Sequence, residues 1–149
     1  DLQHALETLA GWGKLVTIIV HAGSVFEFKG DFPRGELGEG YYNLKGDNGF
    51  EGHINLNKIA TMVFHSGTHR GRESHHLAFL DLQQQTVFKV FIGRDQQGEL
   101  LSAQVSEFMK LKQQWSGLDA IMAEDNGFTA TLKGNSITTY TAYNVKENN

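Results

Sequence analysis

Apolar residues recur with a period of two through most of residues 14–92. This alternation limits the fold more than any other feature, because a period of two cannot lay a continuous apolar stripe along a helix. Lys14 to Val20 and Ser24 to Lys29 flank His21-Ala22-Gly23, which predicts an antiparallel hairpin with Phe26 and Phe28 on one face and Glu27 and Lys29 on the other. Further strands are predicted at Tyr41 to Lys45, Phe50 to Leu56, Ile59 to His65, His75 to Leu82 and Val87 to Ile92. Asn48-Gly49 between the first two is a strong turn signal. Phe128 to Lys133 and Ser136 to Val145 add two more strands, joined at Gly134-Asn135. Asp31 to Gly40 carries the only Pro among several Gly and is predicted as loop.

Helical spacing occurs twice. Leu2, Ala5, Leu6, Leu9 and Ala10 fall on one face until Gly11-Trp12-Gly13 stops them, and Leu101, Val105, Phe108, Leu111 and Trp115 stripe a segment from Glu99 to Trp115. Strands and helices do not alternate, so a parallel sheet is not expected. The predicted class is α+β: a large antiparallel sheet of about nine strands flanked by helices, in one domain spanning residues 1–149. The Thr- and Tyr-rich stretch Ile137 to Tyr143 suits a half-exposed strand or one paired with a second subunit.

Composition then removes whole classes of chemistry. With no Cys, the chain has no disulfide, thiolate metal site or Cys nucleophile, and its metal-capable side chains are chiefly its seven His. Absent Cys also fits the cytoplasm. Thirteen Lys and Arg against seventeen Asp and Glu give a net charge of -4, which argues against nucleic acid as a partner. The longest uncharged apolar run, Leu15 to Val20, is far too short to cross a bilayer, so no membrane insertion is expected. Asp1-Leu2-Gln3 is neither a signal peptide nor an ordinary initiator sequence, so a trimmed start is expected.

Two stretches could carry chemistry. In Phe50 to Leu56, Phe50, Ile54 and Leu56 share a face while His53 points the other way with Glu51 and Asn55. His53 is thus either an exposed strand histidine or a single metal or haem ligand, and Gly52 beside it leaves room for a bulky planar group. The second stretch, His65 to His76, holds four His. Gly67 and Gly71 mark it as loop, so the i, i+4 spacing of His65 and His69 does not make a helical zinc pair. Arg70 and Arg72 on that loop could hold an anion, and Lys89, inside the apolar run Val87 to Ile92, needs solvent or a negative partner. A Schiff-base role for Lys89 has no carbonyl chemistry nearby to support it. Gly35 to Gly40 lacks the Lys of a phosphate loop and carries two Glu; no nucleophile elbow occurs. No carboxylate pair sits in an apolar setting suited to acid-base catalysis, so residue chemistry points to a binding domain rather than an enzyme.

The ordered set Gly40-Tyr41-Tyr42-Asn43-Leu44, Gly52-His53-Ile54, Gly71-Arg72-Glu73-Ser74, Phe88-Lys89-Val90-Phe91-Ile92-Gly93-Arg94-Asp95, Glu99-Leu100-Leu101 and Gln104 to Phe108 resembles the HutX/ChuX family of bacterial haem-utilisation proteins. The likeness covers about Trp12 to Trp115 and implies a fold similar to one half of a HemS/ChuS-type haem protein. It implies a cytoplasmic, homodimeric carrier that binds b-type haem non-covalently as cargo, and that buffers it or exchanges it with a haem-import or haem-degrading protein. His53 is then implied as the axial ligand to the haem iron, and Arg72, Lys89 and Arg94 as propionate partners or members of structural ion pairs. Two alternatives accompany this expectation: a haem-degrading enzyme, and a binder of another anionic planar ligand. The chain departs from the family pattern at His69-Arg70, where an aromatic-Met pair is expected, and at Gln83-Gln84-Gln85, which lacks an expected Gly. The first departure puts added positive charge and another possible ligand beside the site; the second weakens a ligand on that hairpin, which leaves open either five-coordinate iron or a second His from His65, His69, His75 or His76.

Overall fold

The computed structural model describes residues 1–122, 127–132 and 138–144, with side chains described through residue 116 apart from that of His69. In chain order the elements are helix α1 (Leu2–Leu9), strands β1 (Lys14–His21), β2 (Ser24–Asp31), β3 (Arg34–Gly38), β4 (Tyr41–Lys45) and β5 (Glu51–Ile54), and a short 3-10 turn at Leu56–Lys58. There follow β6 (Ile59–His69), β7 (Arg72–Asp81), β8 (Thr86–Phe91), helix α2 (Ser102–Met122), β9 (Gly127–Leu132) and β10 (Thr138–Asn144). The class is α+β as the alternation predicts, but the strands divide into two antiparallel sheets. One is seven-stranded, in the order β2-β1-β8-β7-β6-β10-β9, and the other is three-stranded, β3-β4-β5.

Two segments predicted as loop are strands. Arg34–Gly38 is β3, paired with β4 from Arg34↔Lys45 to Gly38↔Tyr41. Gly35 is required there: a Cβ would lie 2.4 Å from the Tyr42 ring, so a glycine lets the buried tyrosine cross the neighbouring strand. The histidine-rich stretch is likewise a hairpin, continuous from β6 into β7 with His69 paired to Arg72. Gly67 does not break it, and only Arg70-Gly71 turns. Three hairpins close on the same device. Ala22-Gly23, Glu39-Gly40 and Arg70-Gly71 each take positive φ at both positions, as a two-residue turn of type I′ needs. At the β7–β8 turn, where the family pattern has Gly, Gln84 itself adopts φ 64, with Asp81 Oδ1 accepting from the Gln83 and Gln85 amides.

Strand parity sorts the large sheet into two faces. Thr17, Val90, Leu77 and Phe64 form one cross-strand row on the inner face, and Val16, Phe91, His76 and His65 form the neighbouring row on the outer face. The inner face joins the core, together with Tyr42 and Leu44 of the small sheet, Leu2, Leu6 and Leu9 of α1, and Phe108, Leu111 and Trp115 of α2. Helix α2 begins at Ser102 rather than Glu99, because Leu100 bridges back to Arg94. Its buried stripe includes a residue that hydrophobic periodicity passes over, Gln104, at 4% exposure. Of the tail strands, Gly127–Leu132 begins one residue before the predicted Phe128 to Lys133 and Thr138–Asn144 falls within the predicted Ser136 to Val145, while residues 133–137 and 145–149 lie outside the described set.

The Gln104 amide accepts from Gly93 N at 2.7 Å and donates to the carbonyls of Trp12 and Lys14 at 2.9 and 2.8 Å. Replacing it by Leu would leave three backbone groups without this partner in a water-poor setting. Gln104→Leu is therefore expected to lower unfolding stability by about 3 kcal/mol in urea or thermal denaturation.

Candidate functional site

His53 sits on β5, the edge of the small sheet, directly across from Asn43 on β4. As the alternation predicts, Glu51 and His53 are exposed while Gly52 and Ile54 are half-buried, and Phe50, Ile54 and Leu56 pack against the core. The imidazole Nδ1 lies 2.7 Å from Asn43 Oδ1, and the Tyr41 ring meets the imidazole edge-on with centroids 5.9 Å apart. Nε2 is the ring nitrogen outside that Asn43 contact.

Beside His53 a slot of about 210 Å³ opens between β5 and the inner face of the large sheet. Its walls are Thr17, Ile19, Phe32, Leu44, Phe50, Gly52, Ile54, Val87 and Phe88, with His53 and Glu51 among its lining residues. Aromatic packing stiffens the floor, where Phe32 lies 6.4 Å from Phe88 and 5.9 Å from Phe50, and Phe79 stacks on Phe88 at 4.3 Å. Outside the slot the apolar surface continues over Ile19, 37% exposed, and its cross-strand neighbour Phe26, 59% exposed. Gly52 leaves the slot open, since a Cβ there would meet only Leu44 Cδ1, at 3.9 Å. A flat apolar group fits the apolar wall and the unobstructed glycine, and His53, pointing the other way along β5 from Gly52 and Ile54, offers an exposed imidazole at the border of the slot. Among the described residues, no three His, Asp or Glu converge on one point, so what His53 can offer is a single imidazole.

The other candidates do not join His53. Arg72 and Arg94 converge on a different feature, each donating to the Gly98 carbonyl, at 2.6 and 2.9 Å, while Arg94 also donates to the Glu73 carbonyl. They line a separate open cavity with Glu73, Glu99 and the start of α2. The cause is local: Asp95 Oδ1 accepts from the Gln97 and Glu99 amides and folds a turn whose outward carbonyl attracts both guanidiniums. Lys89 pairs across the sheet with Ile18 and Ala78, so it belongs to the outer face, opposite the slot walls Thr17 and Phe88.

Three His of the 65–76 stretch, His65, His75 and His76, are parted by the same parity. His75, on the inner face, is 5% exposed and is held by Ser66 Oγ at 2.8 Å and Glu73 Oε2 at 2.6 Å, with the Phe108 ring 5.3 Å away. His76, on the outer face, contacts His65 Nδ1 to Nδ1 at 3.1 Å and stacks on Phe91. Burial holds the His65 pKa below its ordinary value, helped by the positive charge of Lys89 and by His75. Burial pushes the Tyr42 phenol the other way, above its usual range, with Glu7 adding to the rise. His4 and His21 are exposed. Among the described residues no helix is long and apolar enough to cross a membrane.

Sequence reasoning missed two residues here. Asn43 was quoted only within a motif, yet it contacts the imidazole. Thr17, read as one strand residue among many, is 1% exposed and puts a buried hydroxyl with no hydrogen-bond partner behind the slot wall. Thr17→Val replaces that hydroxyl by a methyl of similar size, and is expected to raise unfolding stability by about 1 kcal/mol in a denaturant titration.

Residues 1–111 match the family model described as Haem utilisation ChuX/HutX. The chain is 42% identical over 113 residues to the protein of Vibrio cholerae serotype O1 (strain ATCC 39315 / El Tor Inaba N16961) named intracellular heme transport protein HutX. The alignment covers 75% of this chain and 58% of that protein, so the chain spans less than two thirds of its relative's length. The crystal structure of the heme binding protein ChuX is similar at 29% identity and a TM-score of 0.71, over 76% of this chain and 71% of that one. ChuS, described as an E. coli heme oxygenase, aligns over 97% of this chain and 62% of its own with a TM-score of 0.60 at 13% identity, a likeness of fold alone.

Proposed function

The chain belongs to the haem utilisation ChuX/HutX family, and from that premise we propose that it is an intracellular haem carrier that accepts, buffers and transfers imported haem. The observation that carries this reading is that the exposed His53 borders an open apolar slot that Gly52 leaves unobstructed. In the proposed complex the slot walls and the Ile19-Phe26 surface cover one part of the porphyrin, and His53 supplies one axial nitrogen to the iron. Haem brings an iron centre with open axial positions; the protein contributes an apolar bed and one oriented base.

Of the two roles the sequence left for Arg72 and Arg94, the structural one is favoured, because both guanidiniums hold the Gly98 carbonyl. Lys89 is assigned to the outer sheet face, where the half-exposed Val16, Ile18, Val63 and Phe91 would meet a second copy in a homodimer. Residues 1–149 are taken as one haem-utilisation domain, acting in the cytoplasm with a haem-import or haem-degrading protein as its exchange partner. The chain is proposed to be a carrier of unmodified b-type haem, not an enzyme.

Titration of the apoprotein with haemin is expected to give a saturable Soret shift near one equivalent. His53→Ala should weaken binding by at least about tenfold, as loss of an axial ligand requires. Absence of a saturable shift in the unaltered protein would sink the carrier reading. With an electron donor, oxygen and catalase present, the bound haem spectrum should persist; its stoichiometric loss would instead favour degradation. Gly52→Val, which narrows the slot from a position where an added Cβ would meet only Leu44 Cδ1, is expected to keep its thermal stability while weakening haemin binding by about tenfold or more. Unchanged affinity in Gly52→Val would move the macrocycle away from the slot.

A further inference from the structure

Three strands meet at one side chain. Asn43 Nδ2 lies 3.2 Å from the Glu36 carbonyl and 3.2 Å from the Gly38 carbonyl, both on β3, while its Oδ1 lies 2.7 Å from His53 Nδ1 on β5. Carbonyl oxygens only accept, so the side of the amide facing β3 must be its NH2 group. Turning the amide over would set its oxygen against two carbonyl oxygens and forfeit both bonds. Its oxygen therefore faces His53, and a ring nitrogen 2.7 Å from an amide oxygen must donate. A neutral imidazole has one donor nitrogen and one acceptor nitrogen, so if Nδ1 carries the proton, Nε2 carries the lone pair.

We infer that Asn43 is the positioning residue of the site: it fixes His53 as the Nδ1–H tautomer and so makes Nε2 the nitrogen offered to a metal centre. Two further features hold the arrangement. Gly38 lets the amide come close to β3, since a Cβ there would stand 3.2 Å from Nδ2. Tyr41, edge-on to the imidazole, limits its rotation. The relay from the β3 carbonyls through Asn43 to the ring is the same physical device as a hydrogen-bonded partner behind a metal-ligating His, which orients the ring and raises its basicity. Its value for binding rests on the carrier reading; the tautomer itself does not.

The test is therefore made first without haem. Long-range 1H–15N correlation spectra of the apoprotein, taken well above the histidine titration range and assigned with His53→Ala, are expected to show His53 protonated at Nδ1 and bare at Nε2. Asn43→Leu removes both halves of the relay and should release a mixture of tautomers. Asn43→Asp keeps the acceptor and loses the donors to β3, so it should retain the Nδ1–H form with a lower melting temperature. An Nε2–H ring in the unaltered protein, or an unchanged tautomer in folded Asn43→Leu, would overturn the assignment. With haemin, Asn43→Leu is expected to bind about tenfold more weakly than the unaltered protein and Asn43→Asp to restore most of that loss. A correct tautomer without any Soret shift would defeat the carrier reading and leave Asn43's role standing. A shift that depends on His53 alongside a wrong tautomer would do the reverse.

Discussion

The Gln104 side chain ties together parts of the chain that are otherwise separate. Its amide is buried and fully engaged, accepting from Gly93 just after β8 and donating to Trp12 and Lys14 at the entry to β1. Gly93 can be reached only because it lacks a side chain, as a Cβ there would lie 2.3 Å from the Lys14 carbonyl oxygen. One knot thus fixes how α1 enters the large sheet, how β8 leaves it and where α2 starts. From that anchor α2 lays Phe108, Leu111 and Trp115 on the core, with the Phe108 ring 5.5 Å from Phe64 and 5.3 Å from His75. The slot lies along the same strands at the other end of the inner face, at Ile19 and Phe88, four residues beyond Leu15 and Ile92. There the cover comes from the edge of the small sheet, and an edge strand next to an apolar face leaves a gap that a helix packed lengthwise would close.

The polar side chains follow strand parity rather than sequence neighbourhood. His75 and His76 are consecutive, yet one faces α2 with Ser66 and Glu73 and the other faces away with His65 and Phe91. Of the four His in twelve residues, His75 is therefore carried to one face of the sheet, and His65 and His76 to the other. Lys89 is carried to the outer face by the same rule, because its neighbours Phe88 and Val90 face in. Basic groups that look available in the sequence are thus divided among a turn, an outer face and a solvent edge. The one formally charged residue lining the slot is the acidic Glu51 of the small sheet.

The alternation made most of the architecture legible. Helix α1, the first hairpin and β4 sit where period and turn residues place them, α2, β5 and β8 overlap their predicted spans with shifted ends, and the outward direction of His53 follows from the even spacing of Phe50, Ile54 and Leu56. Glycine caused the misses. Read as a breaker at Gly35 and Gly67, it instead serves close packing or simply continues a strand, and the Arg70-Gly71 turn is hidden among other loop-like residues. Gln104 could not be found by hydrophobic periodicity, since its burial depends on three carbonyl and amide partners about ninety and eleven residues away. The Asn43–His53 contact, by contrast, had a usable signal. A turn centred on Gly46 to Gly49 sets Lys45 opposite Glu51, and counting outward by two in each strand sets Asn43 opposite His53.

These constraints together suit the proposed release of a bound macrocycle. A slot of about 210 Å³ is smaller than the roughly 300–1,000 Å³ of sites that engulf a ligand, so a macrocycle lying there keeps much of its surface in water or against a partner. Its affinity would come from apolar contact along one edge and from one imidazole on an edge strand, both reachable by an acceptor protein without unfolding the core. Fixing the ring beforehand offsets part of the cost of ordering a ligand side chain at binding. The three-stranded sheet performs that task at its periphery, while the knot at Gln104 holds the far end of the inner face. In the proposed carrier, handover would draw on the weakly covered rim and leave the packed end undisturbed.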